Sequence, residues 1–223
     1  MPLPVKAICY YFSRPDHDAK WRNEDYNTYK MVKAVKGEPI KGYVSLKSGG
    51  KTYKFTQENI GELVAAITNF LAKLISETGV KAPIIVPVPN SIGTRTVDDF
   101  PTHRLAVRIA AKLGDNAEVR PILRWKRQQE RAHDGGTRNP HALFNELILI
   151  GNVDRGRPHI LVDDVCTTGG HFTASAAKLS EAGATVVLAA AVGRTTDEQH
   201  TPNILLLDFE VPGPETLRMP RRW

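Results

Sequence analysis

The chain carries only two cysteines, Cys9 and Cys166, in 223 residues. That is too few for a disulfide framework or a four-thiolate zinc site, and it leads us to expect a reducing, cytoplasmic setting. Aromatic residues are sparse at 7%. Apolar runs are short, the longest being Val186 to Val192, so no segment is long enough to cross a bilayer. No basic region followed by an apolar stretch opens the sequence, and no secretory signal is expected. The seven histidines show no metal-ligand spacing. A G-x-S-x-G nucleophile elbow is missing, and no fixed-period repeat is visible. Ser48-Gly49-Gly50-Lys51-Thr52 imitates the end of a P-loop, but the required earlier glycine falls at Ser45 and a strand-like Tyr53-Lys54-Phe55 follows, so it reads as a hairpin turn.

What is present describes an ordinary globular chain, with 41% hydrophobic and 24% charged residues. Length allows one substantial core, with room for a small lobe. The formal net charge of +6 suits anionic partners without choosing among them.

Val5 to Phe12 reads as a strand, and residues 14–38 are polar and charged. There Trp21, Tyr26 and Tyr29 read as a small packed subdomain rather than a cap on a ligand. Ile40 to Leu46 and Thr52 to Thr56 flank a glycine-bearing turn and predict a hairpin. Ile60, Leu63, Val64, Ile67, Leu71, Leu74 and Ile75 follow the helical period, with Thr56 as expected N-cap and Gly79 beyond the end. From residue 80 strands and helices alternate. Strands are expected at Ile84–Val88, Val119–Leu123, Leu147–Ile150, His159–Val162 and Thr185–Val192, with helices at about 101–113 and 170–182. Fully apolar strands between helices imply an α/β fold, a doubly wound and mostly parallel sheet covered on both faces. Ligands then bind beyond the carboxyl ends of the strands, after Val88 and Val162.

The most informative stretch is His159-Ile160-Leu161-Val162-Asp163-Asp164-Val165-Cys166-Thr167-Thr168-Gly169-Gly170. An apolar strand ends in two adjacent carboxylates, and a tight loop then leads into a helix. Glycines permit close backbone approach, and loop amides with the helix N-terminus present positive partial charge to a phosphate. The carboxylates suit ribose hydroxyls or a metal reached through water. Together these features match a ribose 5-phosphate.

This segment resembles the signature of the type I phosphoribosyltransferases. The resemblance implies that Asp163 and Asp164 hold the ribose 2- and 3-hydroxyls of phosphoribosyl pyrophosphate. It implies that Val165, Cys166, Thr167, Thr168, Gly169, Gly170 and His171 wrap the 5-phosphate. Val86-Pro87-Val88-Pro89-Asn90-Ser91, followed by Arg95 and a helix, resembles the pyrophosphate loop, so Pro89, Asn90 and Ser91 are expected at the ligand. Arg138-Asn139 and Phe144 are similar to residues preceding the signature in the competence-associated branch. The N-terminal zinc cysteines of that branch are missing here, and His171 replaces a frequent threonine.

On this resemblance the chain divides into an N-terminal strand, hairpin and helix region at 1–79 that could act as a hood, a phosphoribosyltransferase-type core at 80–200, and a C-terminal strand with a basic tail at 201–223. The activity it implies is Mg2+-dependent transfer of phosphoribose from phosphoribosyl pyrophosphate to a nitrogenous acceptor. Mg2+ is expected mainly through the substrate, with Asp163 as the candidate protein contact. Arg124 to Arg138 carries five basic and two acidic residues and is expected to close over pyrophosphate, with Gly135 and Gly136 as hinges and Arg127 and Arg138 as catalytic candidates. A homo-oligomer is expected by the same resemblance. Nucleic acid is compatible with the charge but not required, and no membrane partner is expected. Two other classes fit these residues: a non-catalytic sensor of phosphoribosyl pyrophosphate or nucleotides, and an accessory protein of DNA uptake or defence. Arg218, Arg221 and Arg222 in the tail carry the rest of the excess charge.

Overall fold

The computed structural model describes residues 1–12, 20–114, 116–130 and 136–217. Ten strands and five α-helices occur among them. They are β1 (Leu3–Phe12), α1 (Asn23–Lys36), β2 (Val44–Ser48), β3 (Lys51–Phe55), α2 (Ile60–Glu77), β4 (Ile84–Pro87), α3 (Pro101–Leu113) and β5 (Glu118–Val119). There follow β6 (Leu123–Trp125), α4 (Pro140–Glu146), β7 (Leu147–Leu149), β8 (Pro158–Cys166), α5 (Gly170–Glu181), β9 (Thr185–Thr196) and β10 (Ile204–Val211).

The main sheet has the order β10-β1-β9-β8-β4-β5. Its neighbours run parallel from β1 to β5, and β10 pairs antiparallel with β1 at one edge. Successive side chains of a strand point to opposite faces, so the apolar strands feed two cores. Ile85, Ile160, Val162, Leu188, Ala190 and Val192 join one core with residues of α1, α2 and α3. Ile84, Val86, Leu161, Ala189 and Ala191 join the other with Phe172, Ala176 and Leu179 of α5. This is a doubly wound α/β architecture.

Four expectations from the sequence change. The boundary at 79/80 does not separate two cores: β1 lies inside the main sheet, between β9 and β10, and α1 and α2 cover one of its faces. The apolar matching of β1 to β9 drives this, since Val5 and Ala7 face one core while Ile8 faces the other. Second, Val119–Leu123 is not one strand. Pro121 has no N–H to give a ladder, so β5 ends before it, and β6 pairs instead with β7 as a separate hairpin. Third, the polar stretch 14–38 contains α1. Thr28, Met31, Val32 and Val35 supply its buried face. Asp25, also buried, accepts hydrogen bonds from the Arg22 backbone at 2.9 Å and from its guanidinium at 3.0 and 3.1 Å. Gly37, in the left-handed region at φ 76°, ends the helix. Thr56 is not the cap of α2; that position is Asn59, whose Oδ1 accepts from the Thr56 backbone at 2.7 Å.

Trp21 contacts Phe12, Tyr26 and Tyr29 at ring separations of 5.7, 5.0 and 5.4 Å, an aromatic packing cluster over the end of β1.

Candidate functional site

The parallel strands end on one side of the sheet, and there the first acidic pair is fixed. Asp163 and Asp164 lie in the last turn of ladder between β8 and β9. Asp163 is 7% exposed, and its Oδ1 accepts the Asp164 backbone N–H at 2.8 Å. Burial first, then the neighbouring Asp164 charge, pushes the Asp163 carboxyl well above its ordinary range. Asp164 is raised by burial too, offset in part by Lys36, whose Nζ stands 3.8 Å away. Burial works against the Lys36 ammonium, but Asp164 and other nearby acidic groups outweigh it and hold the group above its usual value. The pair thus presents carboxyl oxygens at the carboxyl end of a central strand, an arrangement suited to sugar hydroxyls.

Beyond the pair, Val165 to Phe172 line a small pocket that also takes in Arg138 and Asp163. Its far side is the first turn of α5, where backbone N–H groups lack intrahelical acceptors. Thr167 Oγ1 lies 3.2 Å from Thr195 Oγ1, and Thr168 Oγ1 accepts from the Gly170 backbone at 3.4 Å. The glycines act mainly on the protein's own packing. Gly169 sits at φ 81°, and a Cβ there would lie 2.4 Å from Val211 Cγ1. At Gly170 a Cβ would lie 2.2 Å from the Arg138 carbonyl oxygen. Only glycine lets the loop press against β10 and the segment before α4. Burial pushes the Cys166 thiol up to about 12, so it holds no thiolate for chemistry. Burial and the Arg138 charge lower His171 to about 4, leaving a neutral imidazole 5.8 Å from the Trp125 ring.

A second, open cleft of about 830 Å³ adjoins the first and shares Asp163, Val165, Thr167 and His171 with it. Pro89, Asn90 and Ser91 form the wall opposite the acidic pair. Trp125 positions that wall. Its indole N–H donates to the carbonyls of Pro89 at 3.0 Å and Asn90 at 2.9 Å, and its backbone N–H donates to Gly93 at 2.9 Å. Gln129 N–H adds a bond to the Ser91 carbonyl at 2.9 Å.

Thirteen of the fourteen residues expected at the site, Arg138 among them, line two adjoining cavities, the exception being Arg127, which lines neither. Its guanidinium is 79% exposed and pairs with Glu146 at 3.1 Å, a partner supplied by the end of α4. Arg124, counted among the positive groups over pyrophosphate, is buried on β6 instead, donating to the Pro121 and Leu123 carbonyls and lying 5.0 Å from the Phe100 ring. Lys126 Nζ donates to the Asn145 carbonyl. Arg131 and Gly135, and the tail arginines 218, 221 and 222, lie outside the described residues. Asn139 caps α4, its side chain accepting from His141 and Ala142 N–H, and Phe144 lies 3.8 Å beneath Lys178 Nζ. Both serve packing rather than the cavities.

Sequence reading missed Lys36 and Glu38 as lining residues; Trp125, Gln129 and Glu130 fall within the 124–138 segment expected over pyrophosphate, though none of the three was singled out. Lys36 and Glu38 arrive through α1 and its glycine stop, and the tertiary crossing that brings them to Asp164 leaves no local signal. Among the described residues the larger cleft has four carboxylates, Glu38, Glu130, Asp163 and Asp164, against the single ammonium of Lys36. It is acidic, although the chain is basic. No group of three or more histidine, cysteine or carboxylate side chains forms a metal cage among the described residues, and no helix there is long and apolar enough to cross a membrane.

No protein-family model matches the chain, and neither does any curated relative. Solved structures do. An adenine phosphoribosyltransferase from Trypanosoma brucei, solved with AMP, pyrophosphate and ribose 5-phosphate, is 16% identical with a TM-score of 0.41, covering 76% of this chain and 78% of that one. A purine phosphoribosyltransferase from Pyrococcus horikoshii is 17% identical with a TM-score of 0.37, covering 61% and 85%. An orotate phosphoribosyltransferase from Mycobacterium tuberculosis is 16% identical with a TM-score of 0.36, covering 76% and 94%.

Proposed function

We propose that the chain transfers phosphoribose from phosphoribosyl pyrophosphate to a nitrogenous acceptor, with Mg2+. One observation carries this reading. The turn from β8 into α5 joins two buried carboxylates directly to a loop cavity at a helix N-terminus, with a second polar loop across the adjoining cleft. A ribose phosphate bearing a further phosphate group needs those three features in that order.

Breaking the bond between ribose C1 and pyrophosphate oxygen builds positive charge on the sugar and negative charge on the leaving group. Asp163 and Asp164 orient the sugar by accepting hydrogen bonds from its hydroxyls. The residues from Val165 to His171 hold the 5-phosphate through N–H and hydroxyl donors. The Pro89–Ser91 loop, clamped by Trp125, faces the pyrophosphate. Such fixed donors stabilise developing charge without reorganising.

The acidic cleft bears on Mg2+. A polyanion entering beside acidic side chains requires countercharge, and two adjacent carboxylates, with no metal cage among the described residues, suit an ion that keeps waters and binds chiefly through substrate phosphates. When bound, the ion supplies Lewis-acid stabilisation of the departing pyrophosphate. Asp163 and Asp164 are the residues that would contact it.

Calorimetry of phosphoribosyl pyrophosphate with and without Mg2+ tests the reading. Binding should require Mg2+ and vanish in the Asp163→Asn, Asp164→Asn double variant. Undiminished binding by that variant would overturn the assignment. Pyrophosphate release on screening bases and amines identifies the acceptor; binding with no release from any of them points to a sensor.

A further inference from the structure

The larger cleft holds one cation among the described residues, and it comes from the N-terminal part of the chain. Lys36 stands in the last turn of α1, whose Met31, Val32 and Val35 are anchored in the core. Gly37 ends the helix in the left-handed region, and the Glu38 N–H turns back to the Lys33 carbonyl at 2.9 Å. Lys33 Nζ then meets the Glu38 carboxylate at 3.7 Å. That contact engages the carboxylate nearest to Lys36 along the chain and leaves the Lys36 ammonium beside Asp164.

The pairing with Asp164 is loose. Lys36 Nζ lies 3.8 Å from Asp164 Oδ2, with the lysine side chain 33% and the aspartate 14% exposed. At that distance the contact is an ion pair without a hydrogen bond, and among the described residues no other acceptor meets the ammonium. Donors taken mostly out of water without an acceptor destabilise the fold. A pair kept for stability alone would close to hydrogen-bond distance, because desolvation otherwise outweighs the attraction. The arrangement suits a donor held for a ligand anion.

The described cations of residues 124–138 do not take this place. Arg124 donates to the Leu123 carbonyl, Lys126 to the Asn145 carbonyl, and Arg127 pairs with Glu146. Arg138 lines the phosphate pocket and not the cleft. Lys36 does the reverse, sharing the cleft with the Pro89–Ser91 wall. It therefore serves the part of the ligand that lies away from the 5-phosphate.

We propose that Lys36 is a substrate-contacting residue whose ammonium binds the pyrophosphate group of phosphoribosyl pyrophosphate. This rests on the assignment of the cleft made above. The hydroxyls assigned to the acidic pair include the one on C2, next to the pyrophosphate-bearing C1. An ammonium flanking that pair stands within a side chain's reach of the anion, and its flexible stem lets it leave Asp164 for a phosphate oxygen.

Calorimetry in Mg2+ with two probes, phosphoribosyl pyrophosphate and ribose 5-phosphate, tests this on wild type, Lys36→Met and Lys36→Arg. Lys36→Met should lose about tenfold or more for phosphoribosyl pyrophosphate, the effect of removing a charged hydrogen bond, and little for ribose 5-phosphate. Lys36→Arg keeps the charge and should recover most of the loss. Unchanged binding of phosphoribosyl pyrophosphate by Lys36→Met overturns the proposal. Equal weakening of both probes also overturns it, making Lys36 a support for Asp164. If wild type binds neither probe, the assignment of the cleft fails and the proposal with it, an outcome distinct from loss of the Lys36 effect alone. Thermal melting checks the fold of each variant, and Lys36→Gln carries the same comparison if Lys36→Met does not fold.

Discussion

Two ionisable side chains at the cavities oppose each other in their response to pH. His171 in the unfolded chain titrates near 6.5 and in the folded chain at about 4. Between those values the unfolded state binds more protons, so stability falls as pH drops from 6.5 towards 4. The half-buried site makes the expected loss on the order of 1–3 kcal/mol. Denaturant midpoints at pH 7 and pH 5 check it: the drop should be smaller in His171→Gln than in wild type, and an equal drop would refute the burial argument. Asp163 behaves the other way. Its folded value lies above the ordinary 3.8, so the folded state holds the extra proton and stability falls as pH rises through that window. Asp163→Asn should therefore raise the melting temperature at pH 7 while removing ribose binding. A variant that loses both stability and binding would show the carboxylate to be structural.

Elements, rather than residues, decide how rigid the phosphate cavity is. Gly170→Ala places a Cβ 2.2 Å from the Arg138 carbonyl, so either α5 or the segment entering α4 must move. We expect a loss of about 2–4 kcal/mol and a phosphate affinity reduced more than tenfold, read by thermal melting and calorimetry. Trp125→Phe keeps the ring but deletes the two indole hydrogen bonds to the Pro89 and Asn90 carbonyls. It should cost about 1–3 kcal/mol for the unpaired buried carbonyls and weaken pyrophosphate more than ribose 5-phosphate; equal weakening of both would remove Trp125 from the positioning of that loop. The same elements show what was legible in the chain. The β8–α5 signature, and the helix it leads into, could be read because carboxylates, threonines and glycines are contiguous, and α2 and α3 because their apolar periods are strong. Arg127 stands outside both cavities because its partner, Glu146, arrives through α4, a seven-residue helix too short to announce itself by periodicity. Lys36 and Glu38 were missed, and Trp125 was not singled out, because only the crossing of α1 and the β6–β7 pairing bring them to the acidic pair.

At the scale of the whole molecule, sequence and structure disagree about where the protein can be cut. The change of rhythm near residue 80 places a division between an N-terminal region, 1–79, and a core, 80–200. The sheet says otherwise, because β1 joins the parallel ladder of β9 to the antiparallel ladder of β10. Removing residues 1–79 leaves β9 with an unpaired edge and strips α1 and α2 from the core they share with Ile85, Ile160 and Val192. Apolar surface at roughly 25 cal/mol per Å² would be exposed along that whole face, far more than the 5–15 kcal/mol by which domains are stable. The loss also reaches the phosphate loop. Val211 packs on Gly169, and Thr173 Oγ1 donates to the Pro212 carbonyl at 2.8 Å, so a β10 detached from β1 releases the support behind the cavity. A fragment spanning 80–217 should therefore show no cooperative melting and no binding of phosphoribosyl pyrophosphate. Adding residues 1–79 in trans should restore both if the pieces associate through β1. A fragment that melts cooperatively and binds on its own would show that the core ends at β9, with β1 and β10 as accessories to it.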